Sequence, residues 1–284
     1  MIILDLNQVM ISNFMAQIGN HTDVKIDEGL FRHMVLNSIR SFKSKFVDYG
    51  ELIIACDDKN IWRKQIFPQY KANRKKDREK SEIDWSNIFT ILNKVRDELK
   101  VNSPYRVLQI DHAEADDIIG TLVHKFGNML NTGEKILILS GDKDFAQLHI
   151  YGNVSQYDPV RKKFITHNDP VMFTRELILK GDRGDGIPNI LSHDNCIVNG
   201  ERQKPLRVEK YVNITNPREH FKGDMLKNWL RNESLIDLSL VPQNIQEEII
   251  SEYEKQAGKP ADKLEPYLAK FNLKTLSEKI SDFL

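Results

Sequence analysis

The sequence predicts an α/β fold: a central, mostly parallel sheet flanked by helices, with a helical region at its C-terminal end. Three observations predict it. Four short apolar, β-branched runs, Ile2–Leu6, Leu52–Cys56, Arg106–Ile110 and Lys135–Ser140, read as strands. The stretches between them have helical spacing, which with alternating strands implies parallel pairing in a layered domain. Each run also delivers a carboxylate at its C-terminal end.

The helices are read from spacing. Leu30 to Phe46 places Leu30, Met34, Val35, Ile39, Phe42 and Phe46 on one side. Trp85 to Leu99 does the same with Ile88, Leu92, Val95 and Leu99, and Ala113 to Phe126 with Ile118, Ile119, Leu122, Val123 and Phe126. Residues 151–170 suggest a hairpin or extended connection punctuated by Pro159 and Pro170. A helix over Val171–Lys180 then ends in GDRGDGIPNI, residues 181–190, where three glycines and Pro188 mark a tight loop. From about Asn213 three or four helices follow, including Ile245–Tyr253 and Lys274–Leu284. The expected division is an α/β domain over 1–180, with a basic segment at about 59–82, and a helix–loop–helix and helical region over 181–284.

Composition narrows the class. A chain of 284 residues, 40% hydrophobic and 29% charged, can bury a proper core. The two cysteines, Cys56 and Cys196, show no CxxC or Cys/His cluster that would suggest zinc, so they are expected as free thiols in a reducing compartment. The N-terminus lacks the positive flank and cleavage site of a signal peptide. No apolar run approaches the roughly 20 residues of a membrane-spanning helix. Net charge is zero, but residues 59–80 hold nine Lys/Arg against two acids, leaving 32 basic and 39 acidic residues elsewhere. The molecule is polarised.

In open parallel sheets, ligands gather beyond the carboxyl ends of the strands. Asp5 ends the first run, Asp57 and Asp58 follow the second, Asp111, Glu114, Asp116 and Asp117 follow the third, and Asp142 and Asp144 follow the fourth. Singly, such acids have a plainer reading as helix N-terminal anions or turns. Asp5 resists it, because Asp is depleted in strands and Ile2, Ile3 and Leu4 are core-like. Together, hard oxygen ligands without His or Cys select Mg²⁺ or Mn²⁺ over zinc. Their number exceeds the needs of one Mg²⁺, so two ions about 4 Å apart are expected, serving in-line displacement at a phosphodiester.

The basic segment interleaves Trp62, Phe67 and Tyr70 with Arg63, Lys64, Lys71 and Arg74, the combination with which single-strand binders hold phosphates and stack bases. A solvated charged helix is the plainer reading of KKDREK. In the loop at 181–190, backbone N–H groups offer a phosphate cradle, against an ordinary helix C-cap and turn. Asp182 and Asp185 are candidate second-ion ligands if that loop folds onto the sheet edge.

The series LDLNQ, ACDD, WRKQIFPQYKANR, AEADD, SGDKDFAQL and KGDRGDGIPNI, in that order over residues 1–190, resembles the 5′-nuclease superfamily of flap endonucleases and bacterial 5′-exonuclease domains. Within it the chain is most similar to the ribonuclease H group of T-even-type bacteriophages. The resemblance implies a PIN-like 5′-nuclease fold with a helical arch and a helix–loop–helix element for duplex DNA. It also implies 5′→3′ hydrolysis of RNA–DNA hybrids, duplex DNA and 5′ flaps, suited to removing lagging-strand RNA primers in phage DNA replication. Two Mg²⁺ ions are implied, with Mn²⁺ able to substitute. Asp5, Asp57, Asp116 and Asp142 match the first metal cluster, with Glu114 nearby, and Asp144 and Asp185 the second, joined by Asp117 and Asp182. The same four first-cluster acids, Arg63 and Lys71 are cast as catalytic. Arg63, Lys71 and Arg74 match arch cations, and Lys64, Tyr70, Lys75, Lys76, Gly184 and Gly186 complete the implied nucleic-acid contacts. Implied partners are branched or nicked DNA, RNA–DNA hybrid, a single-strand-binding protein and a sliding clamp, with a monomer in the host cytoplasm. One departure is NILSHDNCIVNGERQ, which stands where many members carry a glycine-rich GxGxxxA element. The T-even group shares it.

Three rivals compete. A non-catalytic DNA-binding protein would be expected to have lost acids from the metal set, and none is lost. A phosphohydrolase with an aspartyl nucleophile generally wants Asp two residues after the first, where this chain has Asn7. A PIN-like single-stranded ribonuclease is usually shorter and lacks the helix–loop–helix element.

Overall fold

A computed structural model describes residues 1–18, 27–127 and 134–284, with side chains except those of 17, 18 and 75–77. The four expected strands form, each within a residue or two of its expected ends: β1 (Ile2–Asp5), β2 (Leu52–Cys56), β3 (Arg106–Gln109) and β4 (Ile136–Leu139). The hairpin expected after Tyr151 supplies β5 (Val154–Asp158) and β6 (Lys163–Ile165). The sheet order is β3-β2-β1-β4-β5-β6, and every pair is parallel except β5 with β6.

Alternation along the strands divides the core. Ile2, Leu4, Leu52, Ile54, Leu137 and Leu139 enter one apolar cluster, while Ile3, Ile53, Ala55, Ile136 and Ile138 enter another on the opposite face. The first face is covered by α1 (Leu6–Ile18), α2 (Glu28–Lys45) and α5 (Trp85–Asn102). Two short helices, α3 (Trp62–Ile66) and α4 (Ala72–Glu79), precede α5, and α6 (Ala115–Phe126) covers the second face. Helix α1 is absent from the sequence reading although Leu6, Val9, Met10 and Phe14 have helical spacing and are buried. It follows β1 with no turn residue between, so no punctuation separates the two.

Beyond the hairpin come α7 (Pro170–Lys180), the short helix α8 (Pro217–His220) and α9 (Gly223–Ile236); α7 and α9 build a third cluster with Ile187, Ile190 and Phe221. Helix α10 (Gln243–Lys255) returns to the sheet and lays Ile245 and Ile249 into the α6 face. The Gln256 side chain then bonds both the N–H and C=O of Val107, closing part of the exposed edge of β3. Helices α11 (Leu264–Lys270) and α12 (Lys274–Ser277) join the α1/α2/α5 face. A single helix over Lys274–Leu284 does not form: α12 stops after one turn and a separate 3₁₀ turn, Ile280–Phe283, follows. Leu276 and Phe283 are both buried, and the break lets each reach the core. No helix among the described residues is long and apolar enough to cross a membrane.

The topology positions the site. From β1 the chain steps outward through β2 to β3, then crosses back to place β4 on the other side of β1. The winding direction reverses between β1 and β4, where a crevice opens beyond the strand ends.

Gly120 tests the packing of α6. A Cβ there would lie 2.9 Å from Cβ of Leu238. Overpacking costs about 1–3 kcal/mol, against about 1 kcal/mol gained from helix propensity. Gly120→Ala is therefore expected to lower stability by up to about 2 kcal/mol, read from the urea midpoint; a rise would show that Leu238 yields freely.

Candidate active site

The switch point collects the acids because each follows a parallel strand. Asp5 is the last residue of β1, Asp57 the first beyond β2, and Asp142 lies just past β4; Asp116 sits in the first turn of α6, shortly after β3. Register aligns Asp5 with Ala55 and Leu4 with Leu139, so these ends are level. Local polar groups orient the carboxylates. Asn7 Nδ2 and the Ala115 N–H donate to the two oxygens of Asp57 at 2.7 and 2.8 Å. The Gln8 N–H and Ser140 Oγ donate to Asp5 at 3.1 and 3.3 Å. Asp142 accepts from the Asp144 N–H at 3.0 Å.

None of Asp5, Asp57, Asp116, Asp142 and Asp144 has an ion-pair partner among the described residues. Burial, then the neighbouring charges of Asp57 and Asp142, push Asp5 up to about 7. Burial, then Asp142 and Asp182, push Asp144 up to about 7 as well. Burial also raises Asp116 well above the usual carboxylate range, with Lys71 opposing and Asp142, Asp5 and Glu114 adding to it. One oxygen of Asp144, Oδ1, is buried without a hydrogen-bond partner. An all-oxygen set with raised proton affinity and an orphaned buried acceptor fits a hard divalent cation. No three of these carboxylates bring oxygens within 4.8 Å of one another. Mg²⁺ does not require that, since it usually keeps several waters and takes one or two carboxylates.

Two expected ligands belong instead to the frame. Asp117 is fully buried, accepts from the Glu114 N–H (2.8 Å) and Trp62 Nε1 (3.1 Å) through Oδ2, and pairs with Arg63 at 2.7 Å through Oδ1. Glu114 gives one oxygen to Arg63 at 3.0 Å and the other to Lys71 at 2.6 Å. Arg63 in turn is 2% exposed and donates to the Leu235 carbonyl at 2.9 Å. A guanidinium so enclosed cannot reach a phosphate, so Arg63 is a buried pillar and not an arch cation. Trp62, Phe67 and Tyr70 are buried too, which corrects the expected base-stacking surface: the apolar face of this segment folds inward onto Arg63 and the third cluster. The Tyr70 hydroxyl donates to Asp185 at 3.3 Å.

The loop after α7 also departs from expectation. The Gly184 and Asp185 N–H groups donate to the Asp182 side chain at 2.7 and 3.2 Å. Those of Gly186 and Ile187 go to the carbonyls of Arg183 and Asp182. No backbone donor from 184 to 187 is left for a phosphate, so Gly184 and Gly186 form no cradle. Gly186 has a packing reason: its φ is +75°, and a Cβ would sit 2.7 Å from the Gln69 carbonyl oxygen. That approach lets the Lys71 N–H bond the Asp185 carbonyl at 2.8 Å. The loop does fold onto the acid edge, as the second-ion reading requires, with Asp185 paired to Arg74 at 2.5 Å and Asp182 to Lys143 at 2.5 Å.

Beside these acids lies an open cleft of about 460 Å³, lined by Asp142, Asp144 and Asp185 together with Arg74, Lys143 and Arg161. Arg74, Lys143 and Arg161 have side chains 48%, 54% and 72% exposed. Lys64 is exposed, and Lys71 is mostly enclosed between Glu114 and Asp185. The side chains of Lys75 and Lys76 fall outside the described residues. Sequence reasoning missed Asn7, Gln8, Ser140, Lys143 and Arg161. Asn7, Gln8, Ser140 and Lys143 lie inside the motifs LDLNQ and SGDKDF, and Arg161 had no signal before β5 and β6 paired.

Two predictions follow from this division. Arg63→Ala is expected to cost about 3–5 kcal/mol, because it strands buried Asp117 and Glu114, whereas Lys64→Ala should fall within about 0.5 kcal/mol of the parent; equal urea midpoints would remove the pillar. The raised acids set the pH trend of metal-free protein. Their folded pKa of about 7 for Asp5 and Asp144 exceeds the unfolded value of about 3.9. Their contribution is fully present below the unfolded value and is lost as pH rises through about 7. In chelator, Tm should fall between pH 5 and 8, and Asp5→Asn should raise Tm at pH 8 by about 2–4 °C per kcal/mol of repulsion relieved.

Comparison with known proteins places the chain in a family. Residues 1–177 match the model of the 5′-3′ exonuclease N-terminal resolvase-like domain, and residues 169–283 the C-terminal domain of T4 RNase H. The ribonuclease H of Enterobacteria phage T4 is 34% identical over 99% of this chain and 95% of its own. A flap endonuclease Xni of Shewanella woodyi is 34% identical over 47% of this chain, which spans about half (51%) of that relative. A bacteriophage T5 flap endonuclease, solved with DNA and metal ions, shares the fold with a TM-score of 0.64 at 18% identity, over 90% of this chain and 98% of that one. The chain therefore belongs to the 5′-3′ exonuclease family of nucleases, with a C-terminal region of the phage T4 ribonuclease H type.

Proposed function

We propose that this chain is a two-Mg²⁺ 5′-nuclease that removes RNA primers by hydrolysing RNA–DNA hybrid and duplex DNA from the 5′ end and by cutting 5′ flaps. The observation that carries the reading is the set of five carboxylates at the switch point that are in no ion pair among the described residues, beside a cleft edged by exposed cations. Asp5, Asp57, Asp116 and Asp142 would hold one ion, and Asp144, Asp182 and Asp185 the other. Bound there, the ions supply an activated water and a counter-charge for the leaving oxygen. Asp117 pairs with Arg63 and would hold no ion, and Glu114 serves to hold Lys71.

The chain's own groups bind and orient the substrate. Arg74, Lys143 and Arg161 line the cleft where a phosphate backbone would run, and Lys64 extends the basic face. Burial works against its charge, but the neighbouring Tyr70 hydroxyl and the Glu114 and Asp185 carboxylates hold Lys71 well above its ordinary value, so it stays cationic beside Asp116. We assign it to the scissile phosphate. The T4 relative's coverage of nearly the whole chain supports a phage setting; within the proposal the chain works in the host cytoplasm, as a monomer, on nicked or branched DNA.

The test is cleavage of a 5′-labelled RNA–DNA hybrid and a 5′-flap DNA, with Mg²⁺ and with chelator. Short 5′ products that vanish in chelator are expected. Asp116→Asn and Asp142→Asn should each abolish turnover while leaving flap binding intact, and full activity in both would overturn the ligand assignment. Lys71→Ala should lower kcat on the order of 10²-fold with little change in KM, as loss of transition-state charge stabilisation requires.

A further inference from the structure

Past Pro188 the chain forms a long loop in place of a second glycine-rich element, and this loop is built, not slack. The Asn189 side chain donates to the Lys204 carbonyl at 2.8 Å, and its N–H bonds Gln203 Oε1 at 2.7 Å. The Lys204 N–H returns to Ser192 Oγ at 2.9 Å. Inside that closed base, backbone bonds run from Cys196 to His193 and from Glu201 to Cys196. They bring three unlike donors to one point: His193 Nε2, Cys196 Sγ and a Glu201 carboxylate oxygen all lie within 4.8 Å of one another.

The plainer account is a surface His–Glu pair over a cysteine used as filler. Three details favour more than that. The Cys196 residue is only 2% exposed, and its sulfur lies 3.6 Å from the Glu201 backbone carbonyl oxygen. Asn199 Nδ2 donates to Glu201 Oε1 at 2.8 Å, the kind of outer contact that fixes a ligating carboxylate, and leaves Oε2 against His193 Nε2 at 2.7 Å. The His193 and Glu201 side chains are 57% and 47% exposed, so both can adjust. Tetrahedral coordination at bond lengths of about 2.0–2.3 Å sets neighbouring donors about 3.3–3.8 Å apart. The His–Glu contact would open by about half an ångström and the sulfur would close by about 1 Å, movements within reach of side-chain rotation.

We propose that His193, Cys196 and Glu201 form a binding site for a borderline-soft divalent ion of the Zn²⁺ type, with water as fourth ligand. Thiolate and imidazole donors select such an ion over Mg²⁺, the reverse of the carboxylate edge. None of the three lines the acid cleft. The thiol must lose its proton to bind, so binding releases a proton. The bound ion would clip residues 193–201, which carry Asn195, bonded to Gln69 at 2.7 Å, and Asp194, paired with Arg231 at 2.5 Å. It would thereby stiffen the contact between this loop and the base of the α3–α4 segment.

The test uses the full chain, stripped with chelator and titrated with Co²⁺ as probe. A thiolate-to-cobalt charge-transfer absorption saturating at one equivalent is expected, bleached by one equivalent of Zn²⁺. It should vanish in Cys196→Ser and persist in Cys56→Ser, whose thiol lies in the sheet core, and in an Asp116→Asn/Asp142→Asn double variant. Surface variants His193→Gln and Glu201→Gln, which leave the fold intact, should each weaken Zn²⁺ affinity by about 10–100-fold in competition with a chromophoric chelator. Absence of the band in the parent, its persistence in Cys196→Ser, or unchanged affinity in both surface variants would overturn the site. None of these readouts depends on nuclease activity.

Discussion

Crowding of negative charge at one edge of the sheet is the constraint on which the rest of the structure depends. Parallel strands wound outward and back from β1 must all end on the same side, and here their ends carry Asp5, Asp57, Asp116 and Asp142, with Asp144 two residues on. Burial makes that repulsion more costly than it would be in water. The fold answers by sorting its acids. Glu114 and Asp117 share Arg63 and Glu114 also holds Lys71, Asp182 and Asp185 pair with more exposed cations, and the five at the crevice are in no ion pair among the described residues. Stability is conceded there, which is the usual place for a protein to concede it.

Arg63 is the hinge of that sorting. Through Asp117 and Glu114 it fastens α3 to the start of α6, and through the Leu235 carbonyl it fastens both to α9. Because Glu114 is shared, the same pair sets Lys71 at the rim. Lys71 adopts a left-handed backbone, φ +56°, and its N–H is anchored on the loop that carries Asp185. The basic segment, the acid edge and the 181–190 loop are thus one mechanical unit, closed by Gly186 where the backbones of Gln69 and the loop touch.

The loop at 191–207 illustrates a different economy. With no helix or strand to satisfy its backbone, it relies on Asn189, Ser192, Gln203 and Asn228 side chains, the last donating to the carbonyls of Ile190 and Ser192. Buried backbone groups in irregular segments need such partners. The same density of polar contacts brings His193, Cys196 and Glu201 into register.

The sequence by itself determined the strand–helix alternation and the carboxylates at the strand ends, because period-2 and period-3.6 patterns are local properties of the chain. The family motifs were equally legible. Which acids are free and which are spent was not, because Asp116 and Asp117 look alike in AEADD and differ only in the direction a helix turn points them. One faces the crevice, the other Arg63 and Trp62. The same holds for Arg63 beside Lys64: one is interior and the other exposed. Backbone donors at 184–187 looked available until the Asp182 side chain and the loop's own carbonyls took them. Lys71 with Glu114 and Arg63 with Leu235 join residues 43 and 172 positions apart, and only the packed chain decides such pairings.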